Sequence, residues 1–212
     1  MSLPAPIAAL PERTSEITAL LTRWSDINSG SDHAAGLTRM AAALRETFSA
    51  AFPAATLEEL SADAPGYNPP GVKTLRYRCR PEAPLQVLLC GHYDTVYGAN
   101  DPFQACRALP DGTLNGPGVA DMKGGLICLL VALQAFEQTP HAARIGWEIL
   151  LTPDEETGTH GSRAHYEEAA RRNHFGFVFE PARPNGDIIH SRKGTGGAIV
   201  TCHGRAAHAA KI

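Results

Sequence analysis

The chain has no excess of positive charge. Its 19 Lys and Arg stand against 22 Asp and Glu, for a formal net charge of −3 over 212 residues. A surface that binds nucleic acid has to be basic, so that partner class is excluded. Cysteine is sparse and poorly placed for pairing. Cys79, Cys90, Cys106, Cys128 and Cys202 are odd in number and show no CxxC spacing, which excludes a disulfide framework and a thiolate zinc site. Most of them read instead as small buried hydrophobes in a reducing compartment. The opening MSLPAPIAALPERTSE has no basic segment followed by an apolar one, so no secretory signal is expected. No apolar run approaches the ~18–20 residues that span a bilayer. A cytoplasmic protein without a membrane partner is the expectation. Internal repeats and low-complexity segments are also missing.

What is present suits a globular α/β protein: 43% of residues are hydrophobic and 19% charged. Apolar spacing predicts helices over Thr14 to Trp24 and Ala34 to Phe52, with Ser31 or Asp32 as cap of the second. Residues 65–71, PGYNPPG, are loop by composition. Val72 to Cys79 alternates as a strand does. Leu85 to Cys90, Ile145 to Leu151 and Phe175 to Phe179 are short continuous apolar runs, which fit strands buried on both faces. Ala198 to Cys202 is a further strand candidate. Gly124 to Phe136 reads as a buried helix and Arg163 to Arg172 as a polar-faced one. Strands alternating with helices predict a largely parallel sheet flanked by helices.

Ligands of such sheets collect at the carboxyl ends of the strands. Three predicted strands run into metal-binding residue types there: GHYD at 91–94, DEE at 154–156, and Glu180-Pro181. Between the first two lies GPGVADMKGG, with Asp121 just ahead of a helix. Imidazole and carboxylate oxygens are natural ligands for zinc and similar ions. A dinuclear site, with ions roughly 3.5–4 Å apart, needs a bridging carboxylate and terminal ligands for each ion. His92, Asp121, Glu156 and Glu180 could supply most of that set. Asp94, on the same side of an extended chain as His92, could accept the second imidazole N–H. That leaves Glu155 free as a base on water. Each signal has a plainer reading. His-X-Asp can be incidental, and Glu155-Glu156 could start a solvated helix capped by Thr152. GPGVADMKGG could be taken for a phosphate loop, but it lacks the Gly-Lys-Ser/Thr ending, and Asp121 occupies the third glycine position of a dinucleotide fingerprint.

Taken together and in order, GHYDTV, NGPGVADMKGG, LLTPDEETG, FEP and HGRAAHA resemble the co-catalytic zinc peptidase family of glutamate carboxypeptidase, acetylornithine deacetylase, succinyl-diaminopimelate desuccinylase and aminoacylase. TPDEETG and FEP look closest to the glutamate carboxypeptidase branch. The resemblance runs from about Trp24 to the end. It implies two divalent ions, most readily zinc, with cobalt or manganese as alternatives. His92 and Glu180 would bind one, Glu156 the other, and Asp121 would bridge them. It further implies Glu155 as general acid/base, Asp94 orienting His92, and a cis peptide between Asp121 and Met122. His208 would polarise the scissile carbonyl in a neighbouring subunit's site, which implies a homodimer in a full-length protein. The substrate would be a small molecule or short peptide, an N-acyl amino acid or a C-terminal glutamate type. Residues 1–190 would form the catalytic domain, and 191–212 the start of an α+β lid or dimerisation domain. Family members continue beyond this point and take a last histidine ligand from the returning segment. The expectation is therefore a metal-dependent amide hydrolase. Its rival is a truncated, catalytically inactive metal-binding or interaction module.

Overall fold

A computed structural model describes residues 5–194, 196 and 198–205. The chain begins with a short helix α1 (Ala5–Ala8) and a 3₁₀ turn, Leu10–Arg13. Two longer helices follow, α2 (Thr14–Ser25) and α3 (Ala34–Ala51). Strands β1 (Thr56–Ser61), β2 (Lys73–Cys79) and β3 (Leu85–His92) come next. A small ribbon of β4 (Arg107–Ala108) and β5 (Leu114–Asn115) precedes the irregular turn Val119–Lys123 and helix α4 (Gly124–Glu137). The last elements are β6 (Ile145–Thr152), α5 (Arg163–Arg172) and β7 (Phe175–Val178). Contacts divide the chain into two units, one running to Pro181 and the other from Ala182.

Five strands form one sheet in the order β1-β2-β6-β3-β7. The sheet is mixed, which corrects the expectation of a largely parallel one: β3 is parallel to β6 and β7, but β2 is antiparallel to β1 and β6. Chain length explains the difference. A parallel connection needs about a dozen residues or more to cross over, and only residues 80–84 join β2 to β3. Strand β1 was not legible in TLEELS, whose two glutamates are poor strand formers and whose residues are largely exposed at the sheet edge.

The core lies between the sheet and the helices α3 and α4. Leu37, Met40, Leu44 and Phe48 of α3 are buried at helical spacing. Leu126, Leu129 and Leu130 of α4 meet Ile149 and Leu151 of β6 in the same cluster. Val119–Glu137 reaches 19 residues with mean hydropathy 1.6, long and apolar enough to cross a bilayer and longer than the sequence reading allowed. Half of it is buried inside this protein. The other sheet face carries charge. Buried Arg76 and Glu148 meet there at 3.3 Å, and Arg172 of α5 reaches the same carboxylate at 2.8 Å.

Three expectations are corrected by exposure. Strand β7 is exposed along its length, Phe177 at 53% and Val178 at 65%, because only β3 pairs with it among the described residues. Residues 198–202 form no strand, since no strand among the described residues offers them a ladder; Ile199 and Val200 are exposed. All five cysteines are free, but only Cys79 and Cys90 are buried.

Candidate metal centre

The sheet register assembles the site. His92, the last residue of β3, pairs with Thr152, the last of β6, so Asp94 and the Asp154–Glu156 turn leave the sheet side by side. On the other flank Cys90 pairs with Val178, and the Phe179 amide donates to the Cys90 carbonyl at 3.0 Å. Glu180 is thereby carried up beside His92. Helix α4 closes the gap from above: a Cβ on Gly125 would stand 1.8 Å from the Phe179 carbonyl oxygen. Only glycine lets the start of this helix lie so close to the strand end, and Asp121 stands just ahead of it. The Asp121–Met122 peptide is cis, as the resemblance implied.

His92 is buried and held from both ring nitrogens. Its Nδ1 lies 3.2 Å from Asp94 Oδ1 and 3.1 Å from the Asp94 carbonyl. Its Nε2 faces three carboxylates: Asp121 at 3.1 Å, Glu180 at 3.6 Å and Glu155 at 3.9 Å. One ligand atom each from His92, Asp121 and Glu180 lies within 4.8 Å of the others. Asp94, fully buried, does more than orient the imidazole. Its carboxylate also accepts the Ser31 hydroxyl at 2.8 Å and the backbone N–H groups of Glu155 and Glu156 at 3.1 and 3.2 Å. Glu155 and Glu156 sit on a turn rather than a helix start, and the Thr152 hydroxyl contacts Tyr166 instead of capping. The charge imbalance is large. Burial lowers the His92 pKa, but Asp94, Glu180 and Glu155 outweigh it and raise it to about 9. Burial pushes the Glu156 carboxyl up to about 7, with help from Asp121 and against His92.

A divalent cation fits this donor set. One imidazole already fixed by a carboxylate, with two further carboxylates converging on its free nitrogen, is a hard-to-borderline N/O site suited to zinc. Added positive charge would also relieve the crowded carboxylates. Glu155 and Glu156 stand outside the gathered three, although Glu156 feels Asp121 directly. His208 lies outside the described residues, and His203 is exposed. Sequence reasoning missed two supports. Ser31, read as a possible helix cap, makes no cap bond and holds Asp94 instead. Asp154, read only as one of three metal-binding residue types at a strand end, is buried and accepts from Gly161 N, Asn68 Nδ2 and Ser162 N at 2.7, 3.0 and 3.1 Å. No spacing rule marks either one.

Residues 88–205, more than half of the chain, match peptidase family M20/M25/M40. The chain belongs to this family. It is 37% identical over 132 residues to a succinyl-diaminopimelate desuccinylase of Gluconobacter oxydans, an alignment covering 57% of this chain and 34% of that one. Against succinyl-diaminopimelate desuccinylase 2 of Shewanella loihica, identity is 33% over 142 residues, or 61% and 37% of the two chains. The chain spans about a third of the length of the curated relatives it matches. Among solved structures, human carnosine dipeptidase 1 superposes with a TM-score of 0.69 at 18% identity, over 84% of this chain and 41% of that one. The M20 family metallo-carboxypeptidase Sso-CP2 of Sulfolobus solfataricus gives 0.59 at 20% identity, over 81% and 39%. These likenesses place the mixed five-stranded unit in the family's catalytic-domain fold.

Proposed function

We propose that this chain forms the metal-binding part of an amide-bond hydrolase, of carboxypeptidase or N-acyl-amino-acid deacylase type. The observation that carries the reading is the convergence of His92, Asp121 and Glu180, with the Glu155 carboxylate 3.9 Å from the same imidazole nitrogen. His92, Asp121 and Glu180 would hold one divalent ion, and Asp121 with Glu156 would reach a second. Zinc suits the set best, and cobalt or manganese are compatible with it. When bound, the ions would polarise the scissile carbonyl and make water easier to deprotonate. The chain's own residues do the rest. Asp94 accepts a hydrogen bond from Nδ1–H of His92, which keeps the proton on that nitrogen and leaves Nε2 as the ligating lone pair. Glu155, half exposed and held by its backbone to Asp94, receives the proton from the attacking water and passes it to the departing nitrogen. Removal of a succinyl group and cleavage of a dipeptide, named for the relatives, are both amide hydrolysis. We assign residues 1–190 to the catalytic domain and 191–212 to the start of a lid, with His208 acting across a homodimer in the cytoplasm.

A second reading, a metal-binding module without turnover, draws on one observation: Glu156 lies outside the gathered ligand atoms among the described residues. Both readings require metal. Elemental analysis of protein grown with zinc and purified without chelator should find bound divalent ion, and its absence would defeat both. Assay against N-acyl amino acids and C-terminal glutamate peptides then separates them, since only the first reading expects release of product.

A further inference from the structure

The loop between α2 and α3, INSGSDH at 27–33, lies against the site and reaches into it with a single side chain. Gly30 forms a bridge with Thr95, the residue after Asp94. A Cβ on Gly30 would stand 2.4 Å from the Tyr97 carbonyl oxygen, so the loop can lie this close only with glycine there. The Ser31 amide donates to the Thr95 carbonyl at 3.1 Å, and the Thr95 amide donates to the Ser29 carbonyl at 2.9 Å. The Asn28 side chain donates to the carbonyls of Tyr97 and Gly98 at 3.2 and 3.1 Å. On the opposite side, the buried Lys123 ammonium donates to the Ile27 carbonyl at 2.8 Å. One loop is therefore fastened both to the segment after Asp94 and to the segment after Asp121. Its side-chain contact with the site is the Ser31 hydroxyl on Asp94 Oδ2.

That contact is the shortest of those the Asp94 carboxylate makes. The hydroxyl stands at 2.8 Å, whereas His92 Nδ1 and the amides of Glu155 and Glu156 stand at 3.1 to 3.2 Å. An O–H···O bond is at its usual length near 2.8 Å, but N–H···O bonds centre near 2.9–3.0 Å. The carboxylate thus rests on Ser31 and reaches for the other three. Remove the hydroxyl and the plane of Asp94 is set only by the longer bonds, so the imidazole and the Glu155–Glu156 turn lose their common reference.

Resting on the metal reading above, we infer that Ser31 is a positioning residue that sets divalent-ion affinity through Asp94. Outer partners of metal ligands typically change affinity by about 10–100-fold. Because Ser31 acts one step further out, about 10-fold is expected. The test uses the 212-residue chain in three forms: wild type, Ser31→Ala and Ser31→Thr, which keeps the hydroxyl at a half-buried position. Zinc affinity is read by chelator competition, the cobalt form by its visible spectrum, and the chelator-treated form by thermal unfolding. The expected result is about 10-fold weaker zinc binding and an altered cobalt spectrum in Ser31→Ala, with both restored in Ser31→Thr. Unchanged or tighter binding by Ser31→Ala overturns the inference and leaves the metal reading standing. A loss that threonine fails to restore also overturns it, because the hydroxyl is then not what matters. A wild-type chain that binds neither ion defeats the metal reading, and this inference with it.

Discussion

Stripped of divalent ions, the protein should become less stable as pH rises from 5 to 8, the reverse of ordinary acid sensitivity. The cause is the crowd of carboxylates around His92. A group whose pKa is raised on folding contributes stability that is complete below its unfolded value and is lost as pH passes through its folded value. His92 goes from an ordinary 6.5 to about 9, so between pH 5 and 8 its contribution falls by about 2 kcal/mol. Glu156 goes from 4.5 to about 7 and acts in the same direction. Its exposure and solvent screening reduce its share to about 1 kcal/mol. Lys123 works the other way: burial depresses it to about 8, and such an amine adds stability only as pH climbs above that value. The window therefore closes at pH 8. Urea unfolding in EDTA at pH 5, 6.5 and 8 should show a fall of about 3 kcal/mol, the sum of the His92 and Glu156 shares. With zinc in excess the trend should reverse, because ligand deprotonation strengthens binding as pH rises. A flat or rising profile in EDTA would mean that the carboxylates do not crowd His92 as the structure has them, and the electrostatic case for a cation would go with it.

Two substitutions probe the turn that carries the glutamates. Glu155→Gln should lower turnover about 10²–10⁴-fold with metal content unchanged, while Glu156→Gln should lose the second ion; the opposite pattern in metal analysis would reverse their roles. Asp154→Ala removes the acceptor of three N–H groups and should cost about 3–4 kcal/mol in urea unfolding. Asp154→Asn should cost far less, since its amide oxygen can replace Oδ2 and its NH₂ can take the place of Oδ1, which makes no hydrogen bond; equal losses in the two variants would show that the charge, not the bonding pattern, is what the turn needs.

Much of the fold was legible because periodicity survives in it. Helices α2, α3, α4 and α5 begin where the sequence reading starts them and end within a residue of its limits. The apolar runs at Leu85, Ile145 and Phe175 are all strands of the sheet. Pairing direction was not legible, because it depends on connection length and neighbour order. Strand β7 shows the limit from another side. FGFVF has the composition of a strand covered on both faces, and covering depends on what packs against it, which its own five letters do not contain. At the site, the gathering of His92, Asp121 and Glu180 could be anticipated because imidazole and carboxylate groups at strand ends carry their chemistry in their own side chains. Ser31 and Asp154 could not, because each acts only through the groups that a distant segment brings to it.

The three adjacent carboxylates at 154–156 show how the fold resolves a conflict that sequence alone only poses. Like charges in contact must be separated, neutralised or protonated, and here each residue takes a different course. Asp154 turns inward, where three N–H dipoles face one of its oxygens. Glu155 stays about half exposed, where water screens it. Glu156 is partly buried, and burial, helped by Asp121 and opposed by His92, raises its pKa to about 7. Their backbone amides are both spent on Asp94, a fourth carboxylate from another strand. The protein's own dipoles therefore answer two carboxylates buried beside the site, Asp94 and Asp154. Asp121, Glu180 and, at longer range, Glu155 face one imidazole nitrogen at 3.1, 3.6 and 3.9 Å, and a single proton there is little charge for three carboxylates.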